Sequence, residues 1–241
     1  MFRVILCLSC LLLMLSTLVT ADQAPPEQQA QLKTVTASLA MAYPNIPVKQ
    51  LNPTPIEGVF EIITQTDDIL YFAPRSGHIL VGEIWSNSGH NLTRESKNRL
   101  MTTKLALLPL DKALKIGTGP NQVVEISDPD CPFCRDGSAF FAARDDVTRY
   151  IFLFPLDQIH PQAEAKSRYI LSAQDPAAAY EEVFSGAYDK QPLPEFTDNG
   201  QLDSQREIAK SIGINSTPRY WINGKFVSGS NFKEFEKLLD K

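Results

Sequence analysis

The sequence predicts an α/β protein built in two parts: a small α+β domain, then a connecting helix and a larger α/β domain that carries inserted helices. Three observations support this reading. Residues 113–241 alternate strand and helix patterns, as expected of a sheet flanked by helices. Residues 22–85 read as one helix followed by short β-branched and aromatic runs divided by turns. Between the two, within residues 86–112, an apolar stripe recurs at helical spacing.

Residues 1–21 form a segment of their own. Met1-Phe2-Arg3 is a short basic start, residues 4–19 are apolar apart from small polar side chains, and Val19-Thr20-Ala21 puts small residues before a cleavage point at Asp22. The run falls short of the ~20 apolar residues that normally span a bilayer, so a cleaved signal peptide is expected over residues 1–21 rather than a retained anchor. Cys7 and Cys10 lie inside it, too close to Met1 to mark a lipoprotein leader. Without this segment 220 residues remain, and the loss of Arg3 moves the formal net charge from −5 to −6. That acidity argues against nucleic acid and anionic membrane surfaces as main partners.

The polar stretch from Asp22 to Gln29 suggests a loose start to the first domain. Leu32, Val35, Leu39 and Ala42 then recur at helical spacing until Pro44 ends the pattern. Residues 59–64, 69–73 and 79–85 are strand-like, and the turns Thr66-Asp67-Asp68 and Pro74-Arg75-Ser76-Gly77 make an antiparallel meander of them. A unit this small is near the lower limit for an independent core and can complete itself by pairing with another copy, so residues 22–85 are read as an association domain. Asn87-Ser88-Gly89 breaks the strand pattern. With Thr93 as its N-cap, a linker helix presents Leu100, Met101, Leu105 and Leu108 on one face and ends at Pro109.

In the second domain, residues 113–116 and 122–127 flank a Gly117-Thr118-Gly119-Pro120-Asn121 turn and read as a hairpin or paired strands leading into Cys131. Helix follows over 131–143, strand over 147–154, inserted helices over 161–173 and 177–185, and helix over 203–212. Strands at 219–222 and 226–228 and a helix over 231–240 close the chain.

The chemistry centres on Cys131-Pro132-Phe133-Cys134. Once Cys7 and Cys10 are set aside, this pair holds all the thiols that remain. Two cysteines cannot form a dense disulfide framework, and 220 residues can build a core without one, so a reactive pair is the better reading. A CxxC that opens a helix puts the first sulfur at the helix N-terminus, where unpaired N–H groups and the helix dipole stabilise a thiolate. The second sulfur then stands one turn inside, placed to attack a mixed disulfide formed on the first; this is the geometry of thiol–disulfide exchange. Zinc sites also use CxxC, but no second CxxC is present and His78, His90 and His160 are scattered, so neither a metal nor another cofactor is expected.

Ser216-Thr217-Pro218 supplies the other half of the redox argument. A Thr-Pro just before a strand and an Asn223-Gly224 turn is where thioredoxin-like domains carry a cis-proline facing the CxxC. There the backbone beside Thr217 and Pro218 can pair with an extended substrate segment. Glu125, flanked by Val123, Val124 and Ile126, is the acid at the thioredoxin-like offset before Cys131. If buried, it would have a raised pKa and could relay a proton to or from Cys134. Asp128 and Asp130 oppose thiolate formation at Cys131 while Arg135 favours it. His160, before Pro161, reads as a residue that caps or packs at a helix start.

Together, Asp128-Pro129-Asp130-Cys131-Pro132-Phe133-Cys134, Gly213-Ile214-Asn215-Ser216-Thr217-Pro218 and Asn223-Gly224-Lys225-Phe226-Val227-Ser228-Gly229 resemble the DsbC/DsbG family of periplasmic thiol:disulfide interchange proteins. The resemblance extends over Pro55-Ile56-Glu57-Gly58 to Tyr71 and His78 to Gly82, similar to that family's dimerisation domain, and over Leu92 to Leu108, similar to its linker helix. It implies a C-terminal thioredoxin-like catalytic domain with a helical insertion (113–241), preceded by a small α+β dimerisation domain (22–85) and a linker helix (86–112). It also implies a V-shaped homodimer in the periplasm that isomerises or reduces disulfides in misoxidised client proteins, some members acting as chaperones, and is kept reduced by a membrane thiol reductase of the DsbD type. Cys131 is then the nucleophile, Cys134 the resolving thiol, and Thr217-Pro218 the cis-proline loop. One departure stands out: Leu171-Ser172-Ala173 lies where many DsbC-type members carry a cysteine of a second, structural pair. Other readings remain open at this point: a chaperone binding copper or zinc through Cys131 and Cys134, a redox-independent holdase, and a monomeric dithiol oxidase, for which residues 22–108 would be superfluous.

Overall fold

The computed structural model describes residues 25–239 and contains two sheets; the expected signal peptide lies outside the described residues. Helix α1 (Pro26–Ala42) opens with a proline, whose fixed φ and missing N–H suit a first helical turn. The helix therefore starts ahead of the apolar stripe, inside the stretch expected to be loose. Val35 and Leu39 pack from α1 onto Phe60, Ile62 and Phe72 of an antiparallel meander in the order β1 (Val48–Pro53), β2 (Phe60–Thr64), β3 (Ile69–Ala73), β4 (His78–Leu80). Strand β1 had no clear signal, because an edge strand with polar Lys49, Gln50 and Asn52 lacks strong alternation. Strand β4 stops at Leu80, short of the expected Trp85. The backbone beyond it is diverted to the start of the next helix, where Leu92 N–H donates to Ile84 O (2.9 Å) and Ser86 N–H to His90 O (2.8 Å).

The linker helix α2 (Leu92–Lys104) is capped by Asn91, whose side chain accepts from Arg94 N–H at 2.8 Å. Thr93, the expected cap, sits inside the first turn, buried, with its hydroxyl against Tyr71 OH (2.5 Å) and Ile84 N–H (2.8 Å). After Lys104 the chain tightens into 3-10 turns at Leu105–Leu107 and Leu110–Lys112. Met101, Leu105 and Leu108 pack with Trp221 and Phe226 of the second sheet, and Trp221 Nε1 donates to Met101 O at 2.7 Å. Lys104 is buried where the parts meet, paired with Asp67 (2.6 Å) and donating to Ile212 O (2.5 Å).

The second sheet has the order β5-β7-β6-β8-β9, made of β5 (Leu114–Ile116), β6 (Asn121–Ser127), β7 (Val147–Leu153), β8 (Arg219–Ile222) and β9 (Lys225–Ser228). Only β6 and β7 run parallel; every other pair is antiparallel. The expected pairing of β5 with β6 is corrected: β7 lies between them. The connection crosses the start of β7 at Gly119, where a Cβ would come within 2.0 Å of the Asp146 carbonyl carbon, so only glycine permits the crossing. Helix α3 (Pro132–Ala142) and helix α7 (Phe232–Leu239) cover one face through Phe141, Tyr220 and Phe235. Helix α6 (Gln201–Ser211) and the linker cover the other through Ala209, Ile212 and Trp221. The inserted helices α4 (Ala163–Ser172) and α5 (Pro176–Phe184) pack Tyr169, Ile170 and Tyr180 around Cys134. Where the resemblance leads to a cysteine near Leu171, α4 is held instead by hydrogen bonds from Asn199 Nδ2 to Leu171 O (2.8 Å) and by Arg168 pairing with Asp198 and Asp203.

Candidate active site

Strand β6 ends in a tight Asp128-Pro129-Asp130 turn that hands the chain to α3. Cys131 is its N-cap and Pro132 its first residue, so the sequence itself aims the Cys131 sulfur at the helix N-terminus. Cys131 and Cys134 are both free and buried, Cys134 completely. The two sulfurs are opposites. The Cys134 side chain lowers the Cys131 thiol most, outweighing burial, and the Cys134 N–H and the Thr217 side chain add to it; the thiol falls to about 6 although the Asp128 charge opposes this. Burial, then the neighbouring Cys131, pushes the Cys134 thiol well above its ordinary value.

The Thr217–Pro218 peptide is cis. Thr217 O lies 4.0 Å from Cys131 Sγ, and the Thr217 hydroxyl, buried without another partner, stands by both sulfurs. The structure thus brings four expected site residues, Cys131, Cys134, Thr217 and Pro218, to one place. Glu125, the fifth, is fully buried on the adjoining strand. Its Oε1 accepts from Arg149 Nε at 2.8 Å, while Oε2 has no hydrogen-bond partner among the described residues. Tyr220, its register neighbour on β8, feels the charges of both Glu125 and Cys134, which together with burial push its hydroxyl well up.

Arg149, Lys166 and the pairings of the charged residues around the cysteines escaped the sequence reading because the partners lie far along the chain. Arg149, buried on β7, also donates to Tyr180 OH (2.9 Å), Ser138 Oγ (3.3 Å) and Glu181 Oε1 (3.2 Å). Buried Asp128 accepts from Asp130 N–H (2.8 Å), Leu156 N–H (2.7 Å) and the His160 ring (2.9 Å). His160 therefore does not cap α4, whose N-cap is Gln162; it meets the carboxylate that tunes Cys131. Arg135 turns to Asp189 (2.6 Å), Asp130 (3.0 Å) and Pro129 O (2.6 Å), and buried Lys166 joins the same two aspartates. The acidic turn before Cys131 is thus clamped to the helical insertion. The forewarning was charge inside apolar runs, as at Glu125 and Arg149; Lys166, between Glu164 and Arg168, gave none.

Fold and site together define a thiol:disulfide oxidoreductase with a thioredoxin-like domain. Residues 109–241 match the thioredoxin-like domain model, and residues 20–94 match the model of the disulfide bond isomerase protein N-terminal domain. The chain belongs to the DsbC/DsbG family of thiol:disulfide interchange proteins. It is 29% identical over 212 residues to a probable thiol:disulfide interchange protein DsbC of Bordetella parapertussis, covering 86% of this chain and 72% of the relative. It is 24% identical over 220 residues to the thiol:disulfide interchange protein DsbC of Escherichia coli (88% and 89%). It is 28% identical over 172 residues to the thiol:disulfide interchange protein DsbG of Pseudomonas aeruginosa (65% and 66%). A crystal structure of a disulfide interchange protein from Neisseria gonorrhoeae aligns with 55% of this chain and 96% of its own at 30% identity, TM-score 0.48.

Proposed function

We propose that this chain is a periplasmic homodimeric disulfide isomerase or reductase that corrects misoxidised exported proteins through Cys131 and Cys134. The observation that carries the reading is the asymmetry of the pair, one thiol lowered to about 6 at a helix N-terminus and the other buried and raised. The Cys131 thiolate attacks a client disulfide, forming a mixed disulfide and releasing one client thiolate. If another client thiolate attacks the mixed disulfide, Cys131 leaves as a thiolate and the client is isomerised with no net redox change. If Cys134 attacks, it gives its proton to the unpartnered Oε2 of Glu125, the client leaves reduced, and Cys131 and Cys134 remain as a disulfide. A membrane thiol reductase of the DsbD type then returns two electrons, and Glu125 gives the proton back to Cys134, which restores the Cys131 thiolate.

Thr217 and Pro218 present backbone for the client's extended segment. Dimerisation through residues 25–85 is supported by the open edges β1 and β4 and by exposed Leu80, Val81 and Trp85. Alkylation of the reduced protein at limiting reagent is expected to mark Cys131 first, with a half-maximal rate near pH 6. The rate rises with pH because the thiolate is the nucleophile. Cys134→Ser is expected to accumulate mixed disulfides with clients. Accumulation in Cys131→Ser instead would reverse the roles, and a monomer in sedimentation would remove the dimer.

A further inference from the structure

Beside the dithiol the second sheet meets solvent in a groove of about 430 Å³ lined by Phe133, Thr217, Pro218, Arg219, Ser228 and Ser230 among others. Phe133 is largely exposed there. The groove shares Thr217 with the cysteines, so whatever lies along it continues from the sulfur of Cys131.

Arg219 is the unusual member. Of the six arginines in residues 113–239, the other five each pair with a carboxylate: Arg135 with Asp189, Arg144 with Asp146, Arg149 with Glu125, Arg168 with Asp203, and Arg206 with Asp157. Arg219 donates hydrogen bonds only to serines among the described residues, through Nε to Ser216 O (3.3 Å), through Nη1 to Ser228 Oγ (2.7 Å) and through Nη2 to Ser216 Oγ, and its guanidinium lies over the Phe226 ring at 6.0 Å. Those contacts use three of the five guanidinium N–H groups and hold the fork in place. Burial lowers its pKa, and no carboxylate acts to raise it. A fixed, partly desolvated guanidinium with spare donors is built to receive a carboxylate.

We infer that Arg219 is a carboxylate-binding subsite selecting client segments that carry an Asp or Glu close to the cysteine attacked by Cys131. The inference rests on the proposed exchange at Cys131. The occupant is an extended segment of a client, its cysteine joined to Cys131, its acidic side chain on Arg219 and its apolar neighbours on Phe133. A partly buried pair of this kind corresponds to a preference of about three- to tenfold.

The test uses the full mature protein and short fluorogenic disulfide peptides with Glu, Gln or Lys at each of the two positions on either side of the cysteine. At one of these positions Glu is expected to exceed Gln in kcat/KM by about three- to tenfold, with Lys below both, and the ratio should shrink as ionic strength rises. Arg219→Gln should bring the Glu/Gln ratio to one, and Arg219→Lys should keep part of it. A ratio cancels any general change in thiol reactivity. The same peptides with serine for cysteine, followed by fluorescence polarisation, report the subsite without exchange. Equal ratios in wild type and Arg219→Gln, or a wild-type ratio of one that salt does not move, would overturn the subsite. Preferential binding of the Glu peptide by a protein that reduces none of the peptides would overturn the exchange reading and leave the subsite standing.

Discussion

The four-stranded sheet of residues 48–80 and the five-stranded sheet of residues 114–228 are both mostly antiparallel, yet they are stabilised differently. The first packs one face on a helix, where α1 contributes Val35 and Leu39 to a cluster of five buried side chains. Its other face buries Ile63 and Ile69 beside polar contacts, Tyr71 OH with Thr93 of the linker helix and Asn52 Nδ2 with Glu61 within the sheet. The second sheet has apolar clusters on both faces. That deeper core carries the buried Glu125–Arg149 pair and the buried Asp128 carboxylate next to the reactive cysteines. A thin core suits a module completed by association, and a thick one suits a site that needs buried charge.

The widest separation of the two regions is expected from Phe72→Ala, which empties the centre of the small core at a cost of about 3–5 kcal/mol. Calorimetry should show an early, separate transition for the first domain, with loss of the oligomer in sedimentation. Reduction of small disulfides should survive, and its loss would show that the two regions do not fold independently. In the second region Arg149→Met leaves Glu125 buried and unpaired and is expected to cost about 3–5 kcal/mol in urea unfolding. Most of that loss should return in the Glu125→Leu/Arg149→Met double variant.

Gly137→Ala should cost about 1–3 kcal/mol despite alanine's better helix propensity. A Cβ there would meet Tyr220 OH at 2.0 Å and Tyr220 Cζ at 2.9 Å, so adding Tyr220→Phe should relieve part of the loss in the same assay. The smallest effect is expected at the junction, where Asn91→Ala removes the cap of α2 for about 1 kcal/mol. Thr93→Ser, which keeps the hydroxyl facing Tyr71, should cost less in the same assay.

The same comparison marks what could be read along the chain. Helix α3, strand β7 and the closing β8, β9 and α7 were legible because their apolar periods are regular and a CxxC and a Thr-Pro punctuate them. Strand β1, the early end of β4 and the Asn91 cap were not, because polar edge residues and competing cap candidates look alike without their neighbours. Met101, Leu105 and Leu108 of the linker share a core with Trp221 and Phe226, a contact that the sequence does not announce. A fragment beginning at Ala113 would uncover that apolar wall, so the catalytic unit that should stand alone begins near Leu92.

Local sequence was enough to place Cys131 at a helix N-terminus with Cys134 one turn inside, since helix geometry converts that spacing directly into position. It also sufficed for the order of the elements apart from β1, because helix and strand periods are written residue by residue. Only tertiary structure decided the order of strands, with β7 between β5 and β6, and the partners of the buried charges. Arg149 meets Glu125, His160 meets Asp128 and Lys166 meets Asp130 across 24, 32 and 36 residues of chain. A charge inside an apolar run announces that it needs a partner, but which partner is settled by the packing that brings distant segments together.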